Sequence, residues 1–168
     1  MGPDVRHGDA RSLAPAAAGL DRRADLADDV LGYADLCRAA EARGIRIASG
    51  EHEYTRYGYR MLLYHKAVHI LQPDLTSCGG LTEIRRVAAM AAGENLPVVP
   101  HRGGSLYALN LILATPNCAL AESFGIGEPS SEIQSALMPP FEKGYFLAPE
   151  GAGFGTKLST NMLERPNR

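Results

Sequence analysis

Four side chains able to carry acid–base or metal chemistry recur at regular intervals along the chain. Glu51, Asp74, His101 and Glu122 each stand at or near the end of an apolar run, 21 to 27 residues after the one before. This interval is close to one strand plus one helix. A single ionisable residue at a strand end needs no functional explanation, because the loops that follow strands are polar. Four in succession favour a shared site. In a parallel barrel the carboxyl ends of the strands converge, so the four side chains are predicted to ring one mouth.

The four groups suit the removal of a proton from carbon. Glu51 offers the hard oxygen donor that Mg²⁺ prefers. Asp74 and His101 fall on neighbouring predicted strands, where a carboxylate can hold an imidazole in one tautomer and raise its basicity. A proton α to a carboxylate is very weakly acidic, so a metal must stabilise the charge that develops. Residues of these types are therefore compatible with metal-assisted proton abstraction, in which an imidazole is the base.

The elements that must position these groups alternate between helix and strand. Apolar residues at helical spacing predict helices over 28–43, 55–66, 81–92 and 105–114. Short apolar runs predict strands over 45–48, 67–74, 96–101 and 117–124. Apolar strands that alternate with helices indicate an α/β fold, in which crossover helices connect parallel strands.

Composition divides the chain into three segments. Residues 1–25 are rich in Gly, Pro, Ala, Arg and Asp and are predicted to be a disordered arm, because they offer too little apolar surface to offset the entropy of ordering. Residues 26–126 correspond to about four βα units of a partial barrel. Residues 127–168 are predicted to form an irregular return segment with a short hairpin around Gly144.

Charge, length and cysteine content limit the partners and the compartment. The 168-residue chain has a formal net charge of −2 and a pI near 6.2, so it lacks a basic field for nucleic acid or anionic lipid. It falls short of the roughly 250 residues of a complete barrel. No apolar run of about 18 residues predicts a membrane span. Cys37, Cys78 and Cys118 share no CxxC spacing and are predicted to be buried, reduced thiols of a cytoplasmic protein.

Several short strings carry a resemblance to a known family. They are GEHEYTRYGYRMLL at 50–63, Gln72-Pro73-Asp74 followed by CGG, VVPH at 98–101, and GFG at 153–155. From about residue 28 to the end the chain resembles the enolase superfamily, in its mandelate-racemase-like branch, and within that branch the L-rhamnonate dehydratases. The resemblance implies the C-terminal half of a (β/α)7β TIM-like barrel with an irregular C-terminal return.

The same resemblance implies a Mg²⁺-dependent dehydratase of sugar acids, which is a hydro-lyase. Glu51 then corresponds to the last of three carboxylate ligands to Mg²⁺, His101 to the general base and Asp74 to its partner. Glu122 and His52 correspond to substrate contacts. The reaction implied is abstraction of the proton α to the carboxylate and loss of water, giving a 2-keto-3-deoxy acid. Family members also tend to assemble as homo-oligomers.

Two alternatives remain beside the dehydratase. The family's other two metal ligands belong before residue 28, where no segment resembles a strand ending in Asp or Glu, and the capping domain that closes over substrate has no counterpart. One carboxylate cannot hold Mg²⁺ usefully, and half a barrel exposes two sheet edges. The first alternative is therefore an inactive fragment or a chain that needs a complementary chain, and we expect the isolated chain to be inactive. The second is a racemase or epimerase on the same metal, which needs a base on each face.

Overall fold

Three stretches of the chain define the fold. The computed structural model describes residues 29–103, 105–122 and 138–155. The predicted arm over residues 1–25 and parts of the predicted return segment lie outside these stretches, so the three-segment division stays a prediction.

Helices occupy the positions that the apolar spacing predicts, to within two residues at either end. In the described residues they are α1 (Val30–Glu41), α2 (Thr55–Tyr64), α3 (Gly80–Gly93) and α4 (Leu106–Leu113). The first helix begins at an N-cap, because the Asp29 carboxylate accepts a 2.8 Å hydrogen bond from the backbone N–H of Gly32. A tight turn follows this helix at Gly44, whose φ of 70° is a conformation that favours glycine.

Parallel pairing brings the predicted strands together in chain order. Strands β1 (Ala48–Ser49) and β2 (Ile70–Leu71) are parallel, with Ala48 opposite Ile70 and Ser49 opposite Leu71. Two parallel bridges, Leu71 with Val98 and Asp74 with His101, continue the sheet to the third predicted strand. The N–H of Val98 then donates to the carbonyl of Asn117, 2.9 Å away, which adds the fourth segment. Helices between successive segments make this an α/β arc of a TIM-like barrel, as predicted.

The ladders are much shorter than the predicted strands. Proline has no N–H to donate to a neighbouring strand, and Pro73, Pro97 and Pro100 interrupt the second and third predicted strands. Beyond β1 and β2, each of two residues, regular pairing is therefore reduced to single bridges. Residues 117–122 carry no strand of their own, and residues 123 and 124 lie outside the described part.

The core lies between the arc of strands and the helices that cover it. Leu71 and Val98 point from the strands into this core and are fully buried. Ile84, Val87, Ala88 and Ala91 recur at three- and four-residue intervals and form the buried face of α3. The burial of these apolar side chains is the main favourable contribution to the stability of the arc.

A short hairpin follows in the third described stretch. Strands β3 (Phe141–Glu142) and β4 (Tyr145–Phe146) are antiparallel. Lys143 and Gly144 both have positive φ, 50° and 88°, which is the geometry of the two-residue turn that matches strand twist. The rings of Phe141 and Phe146 meet edge to face across the pair, 4.9 Å between centroids. The predicted hairpin around Gly144 is confirmed.

The three cysteines are buried, as the sequence predicts, and each is a free thiol. Burial raises the pKa of Cys37, beside Glu41, and that of Cys118, both to about 11. It also raises the pKa of Cys78. A buried thiol with a high pKa is a poor nucleophile, so these residues act as small apolar groups of the core. Across the described stretches, none of the helices has the length and apolarity to cross a membrane.

Candidate active site

The turn that follows β1 carries Glu51 and His52, and a buried tyrosine holds it in place. The hydroxyl of Tyr59 lies 3.0 Å from the carbonyl oxygen of Gly50 and 3.1 Å from that of Glu53, and it donates toward both. Tyr59 is fully buried, and this burial raises the pKa of its phenol above the ordinary value. Since the phenol stays protonated, it is a permanent donor that fixes both ends of the turn.

His101 lies between two carboxylates from different strand ends. Its Nδ1 is 2.9 Å from Oε2 of Glu51 and 3.0 Å from Oε2 of Glu122. The imidazole is 14% exposed and the two carboxylates are 29% and 26% exposed, so the cluster is only partly open to solvent. Nδ1 is therefore the ring nitrogen that faces the two strand-end carboxylates.

Asp74 lies beside His101 through the backbone. The two residues form a parallel bridge, and the N–H of His101 donates to the carbonyl of Pro73 over 2.9 Å. The carboxylate Oδ1 of Asp74 accepts hydrogen bonds from the backbone N–H of Thr76 at 2.7 Å and from its hydroxyl at 2.5 Å. This turn holds the Asp74 side chain at the strand end, next to the strand that carries the imidazole.

Glu122 is held by groups that the residue pattern did not identify. Its Oε1 accepts a 3.0 Å hydrogen bond from the side-chain amide of Gln72, and its Oε2 accepts a 2.8 Å bond from the backbone N–H of Arg102. A signal for Gln72 does exist, because side chains two residues apart on a strand share a face, and Gln72 precedes Asp74 by two. The backbone donor of Arg102 has no signature in residue type.

His52 lies at the outer edge of this cluster. Its Nε2 is 3.3 Å from Oε1 of Glu51, and its side chain is 75% exposed. Glu51 thus has one oxygen toward His52 and the other toward His101. All five predicted site residues stand at one edge of the arc, linked by contacts through Glu51, His101 and Glu122 and by the bridge at Asp74.

An apolar depression opens beside the turn at Asp74. It has a volume of about 350 Å³ and is lined by Leu75, Thr76, Leu81, Tyr107 and Phe154. Phe154 belongs to the GFG string, and its ring meets that of Tyr107 edge to face at 6.5 Å. The third described stretch therefore contributes one wall of this depression.

The described residues do not by themselves complete a metal site. Within 29–103, 105–122 and 138–155, no group of three or more His, Cys, Asp or Glu side chains is arranged to hold a metal ion. Mg²⁺ prefers octahedral coordination by oxygen and keeps several waters. Glu51 offers a carboxylate oxygen of the kind that Mg²⁺ prefers.

Parallel strands and covering helices define part of a TIM-like barrel, with an acid–imidazole cluster at the strand ends. The chain belongs to the enolase C-terminal domain-like family, whose family model matches residues 25–162. The predicted membership of the enolase superfamily is confirmed.

Individual relatives support the same placement. The chain is 35% identical to the L-rhamnonate dehydratase of Saccharopolyspora erythraea over 177 residues, which cover 99% of this chain and 44% of that protein. A solved rhamnonate dehydratase from Gibberella zeae, complexed with Mg, aligns with a TM-score of 0.62 and 32% identity, over 82% of this chain and 35% of that one. An enolase protein from environmental sequencing of the Sargasso Sea aligns with a TM-score of 0.70 and 29% identity, over 82% and 37%. The chain thus spans less than half the length of these relatives.

Proposed function

We propose that this chain carries the base-bearing half of a Mg²⁺-dependent sugar-acid dehydratase, a hydro-lyase similar to the L-rhamnonate dehydratases. The observation that carries the proposal is the position of His101, whose Nδ1 lies within 3.0 Å of two carboxylates at the strand-end edge of the arc. The relatives named dehydratases, at 35% and 32% identity, support the reaction class and the sugar-acid substrate.

His101 is the general base of the proposed reaction. With Nδ1 facing the carboxylates of Glu51 and Glu122, the imidazole is proposed to use the lone pair of Nε2 to take the proton α to the substrate carboxylate. The positive charge that His101 gains is stabilised by both neighbouring carboxylates. The β-hydroxyl takes up a proton and leaves as water, and the enol that this elimination forms tautomerises to a 2-keto-3-deoxy acid.

The neighbouring side chains bind and orient the substrate and the base. Glu122 and His52 are proposed to bond substrate hydroxyls, because both lie beside the base and keep some exposure to solvent. Asp74 is proposed as the partner of His101 through the adjacent strand ends. Glu51 is proposed as one carboxylate ligand of Mg²⁺, an ion that stabilises negative charge on a carboxylate substrate. The remaining ligands belong to chain outside the described stretches.

A second possibility is that the chain alone is inactive, as a fragment or as one of two complementary chains. Its span of 44% of the bacterial relative favours this alternative, as does the lack of a three-ligand metal cluster among the described residues. Racemisation or epimerisation on the same metal remains a third candidate, which requires a second base on the opposite face.

We further propose that the protein is cytoplasmic and forms a homo-oligomer. The cytoplasmic location is in keeping with three buried free thiols.

Complementation tests the proposal directly. The full chain is combined with the part of the Saccharopolyspora erythraea enzyme that it does not cover, in millimolar Mg²⁺, and the release of 2-keto-3-deoxy acid from L-rhamnonate and other aldonates is measured. We expect turnover by the mixture, none by the chain alone, and loss of turnover with His101→Asn. His65→Asn is the matched control and should leave turnover intact. An assembled, Mg²⁺-binding mixture without dehydration, or full activity of His101→Asn, would overturn the proposal.

A further inference from the structure

We infer that Gln72 is a positioning residue for the active-site base. Its side-chain amide holds the Glu122 carboxylate, and Glu122 in turn lies against Nδ1 of His101. This inference rests on the role proposed above for His101. The contacts among Gln72, Glu122 and His101 can, however, be tested without any turnover.

The Gln72 amide bridges two distant segments of the chain. Its Nε2 is 3.0 Å from Oε1 of Glu122, fifty residues further on. An ionised carboxylate has no proton to donate, so the NH₂ of Gln72, and not its carbonyl, must face Glu122. Hydrogen bonds to a charged acceptor are stronger than those between neutral groups. Gln72 is thus a fixed donor at the end of β2 for the carboxylate of the fourth segment.

The two oxygens of Glu122 have different tasks in this arrangement. Oε1 faces Gln72, while Oε2 accepts from the N–H of Arg102 and lies 3.0 Å from Nδ1 of His101. Because a carboxylate is planar, holding Oε1 sets the rotation of the whole group and so the position of Oε2. Without the amide, the N–H of Arg102 alone restrains Oε2, and the carboxylate can turn about that contact and move relative to the imidazole.

The backbone of Gln72 is held independently of its side chain. Its N–H donates to the carbonyl of Ser49 over 2.9 Å, as part of the pairing between the first two strands. A side-chain substitution therefore leaves the strand pairing in place and removes only the amide. This separation distinguishes positioning of Glu122 from general support of the fold.

The imidazole resonances of His101 report the contact without any need for turnover. The full chain is labelled with ¹⁵N-histidine, and the ring nitrogens are observed by long-range ¹H–¹⁵N correlation in wild type, Gln72→Leu and Gln72→Glu. His101 is assigned with His101→Asn. His69 is the internal reference, since its Nδ1 accepts a 3.0 Å bond from the N–H of Ile47, a contact that involves neither Gln72 nor Glu122. We expect both Gln72 variants to shift the His101 ring nitrogens and to leave those of His69 in place.

A coupling test then separates the positioning role from a structural one. If Gln72 acts through Glu122, Gln72→Leu must produce no further shift of His101 in a Glu122→Ala background. Unchanged His101 resonances in Gln72→Leu or Gln72→Glu, or an equal shift with and without Glu122, would overturn the inference. Should both Gln72 variants fail to fold, Glu122→Ala decides in a chain labelled uniformly with ¹⁵N, because it must shift both the side-chain amide resonances of Gln72 and the ring nitrogens of His101. The proposed dehydratase activity is judged separately by complementation, so the two can fail independently.

Discussion

The Arg56 guanidinium and the Glu83 carboxylate form a two-point ion pair that ties the start of α2 to the start of α3. Nε of Arg56 is 2.6 Å from Oε1 of Glu83, and its NH2 nitrogen is 2.9 Å from Oε2. The backbone N–H of Arg56 donates to the same Oε1 at 2.8 Å, and Arg86 adds a contact at 3.0 Å. Because α2 begins just after the turn with Glu51 and His52, this pair holds the element next to the candidate site.

Neutralising Glu83 is predicted to remove a pH dependence of stability. The hydrogen bonds from the Arg56 side chain and then its backbone N–H lower the pKa of Glu83 from about 4.5 to about 2. Between those pH values the unfolded carboxyl binds a proton that the folded one does not, so stability falls as the pH falls. Urea unfolding from pH 2 to pH 6 should show a shallower fall for Glu83→Gln. The exposed Glu94 supplies the control variant Glu94→Gln, and identical slopes for both variants would contradict the prediction.

Loss of the Tyr59 hydroxyl is predicted to destabilise the turn that carries Glu51 and His52. Tyr59→Phe removes this donor from the carbonyls of Gly50 and Glu53, although that of Gly50 keeps the N–H of Glu53, and the loss of such a hydrogen bond costs about 0.5–1.5 kcal/mol of unfolding free energy. Tyr57 is 63% exposed, so Tyr57→Phe should change stability by no more than about 0.5 kcal/mol. Urea titration of both variants measures the difference. A loss below that of Tyr57→Phe would show that the hydroxyl does not hold the turn.

The helices were predictable from sequence because an amphipathic helix needs no distant partner to reveal its pattern. Ile84, Val87 and Ala91 set the 3.6-residue period of α3 before any contact is known. Strand pairing depends on two segments at once. Pro97 and Pro100 lack the backbone N–H that would donate to a neighbouring strand, although they lie in an apolar run that is typical of a strand. The observed ladders are therefore shorter than the predicted strands.

The same distinction, between what a local pattern predicts and what depends on distant segments, applies to the candidate site. Glu51, Asp74 and His101 could be found because strand ends share one edge in a parallel arc. The partners that orient them depend on folded geometry. Tyr59 acts through a turn that closes only in the folded chain, and the N–H of Arg102 is a backbone group without side-chain identity. The residue types thus predict where the reactive groups lie, whereas the contacts that orient these groups depend on how the chain packs.

The three cysteines are predicted to resist alkylation in the native protein. Burial raises the pKa of Cys37 and of Cys118 to about 11, so at pH 8 only a minute fraction is the reactive thiolate. Iodoacetamide at pH 8 should leave the native chain unmodified under conditions that alkylate all three thiols in 8 M urea, as read by mass spectrometry. Rapid native labelling of Cys37 or Cys118 would show that these thiols are open to solvent.

A methyl group at Gly103 is predicted to disturb the site as well as the fold. A Cβ there would lie 2.9 Å from the carbonyl oxygen of Pro100 and 3.0 Å from the backbone nitrogen of Glu122. Both are backbone atoms that cannot rotate away, so Gly103→Ala should cost about 1–3 kcal/mol through overpacking. It should also shift the His101 imidazole resonances, since the backbone of Glu122 must move. Gly93 at the end of α3 has open space around its Cβ position, so Gly93→Ala is the matched control and should stabilise by up to about 1 kcal/mol. Equal melting temperatures for the two variants would mean that the backbone around Gly103 yields freely, and that the cluster is less tightly held than these distances imply.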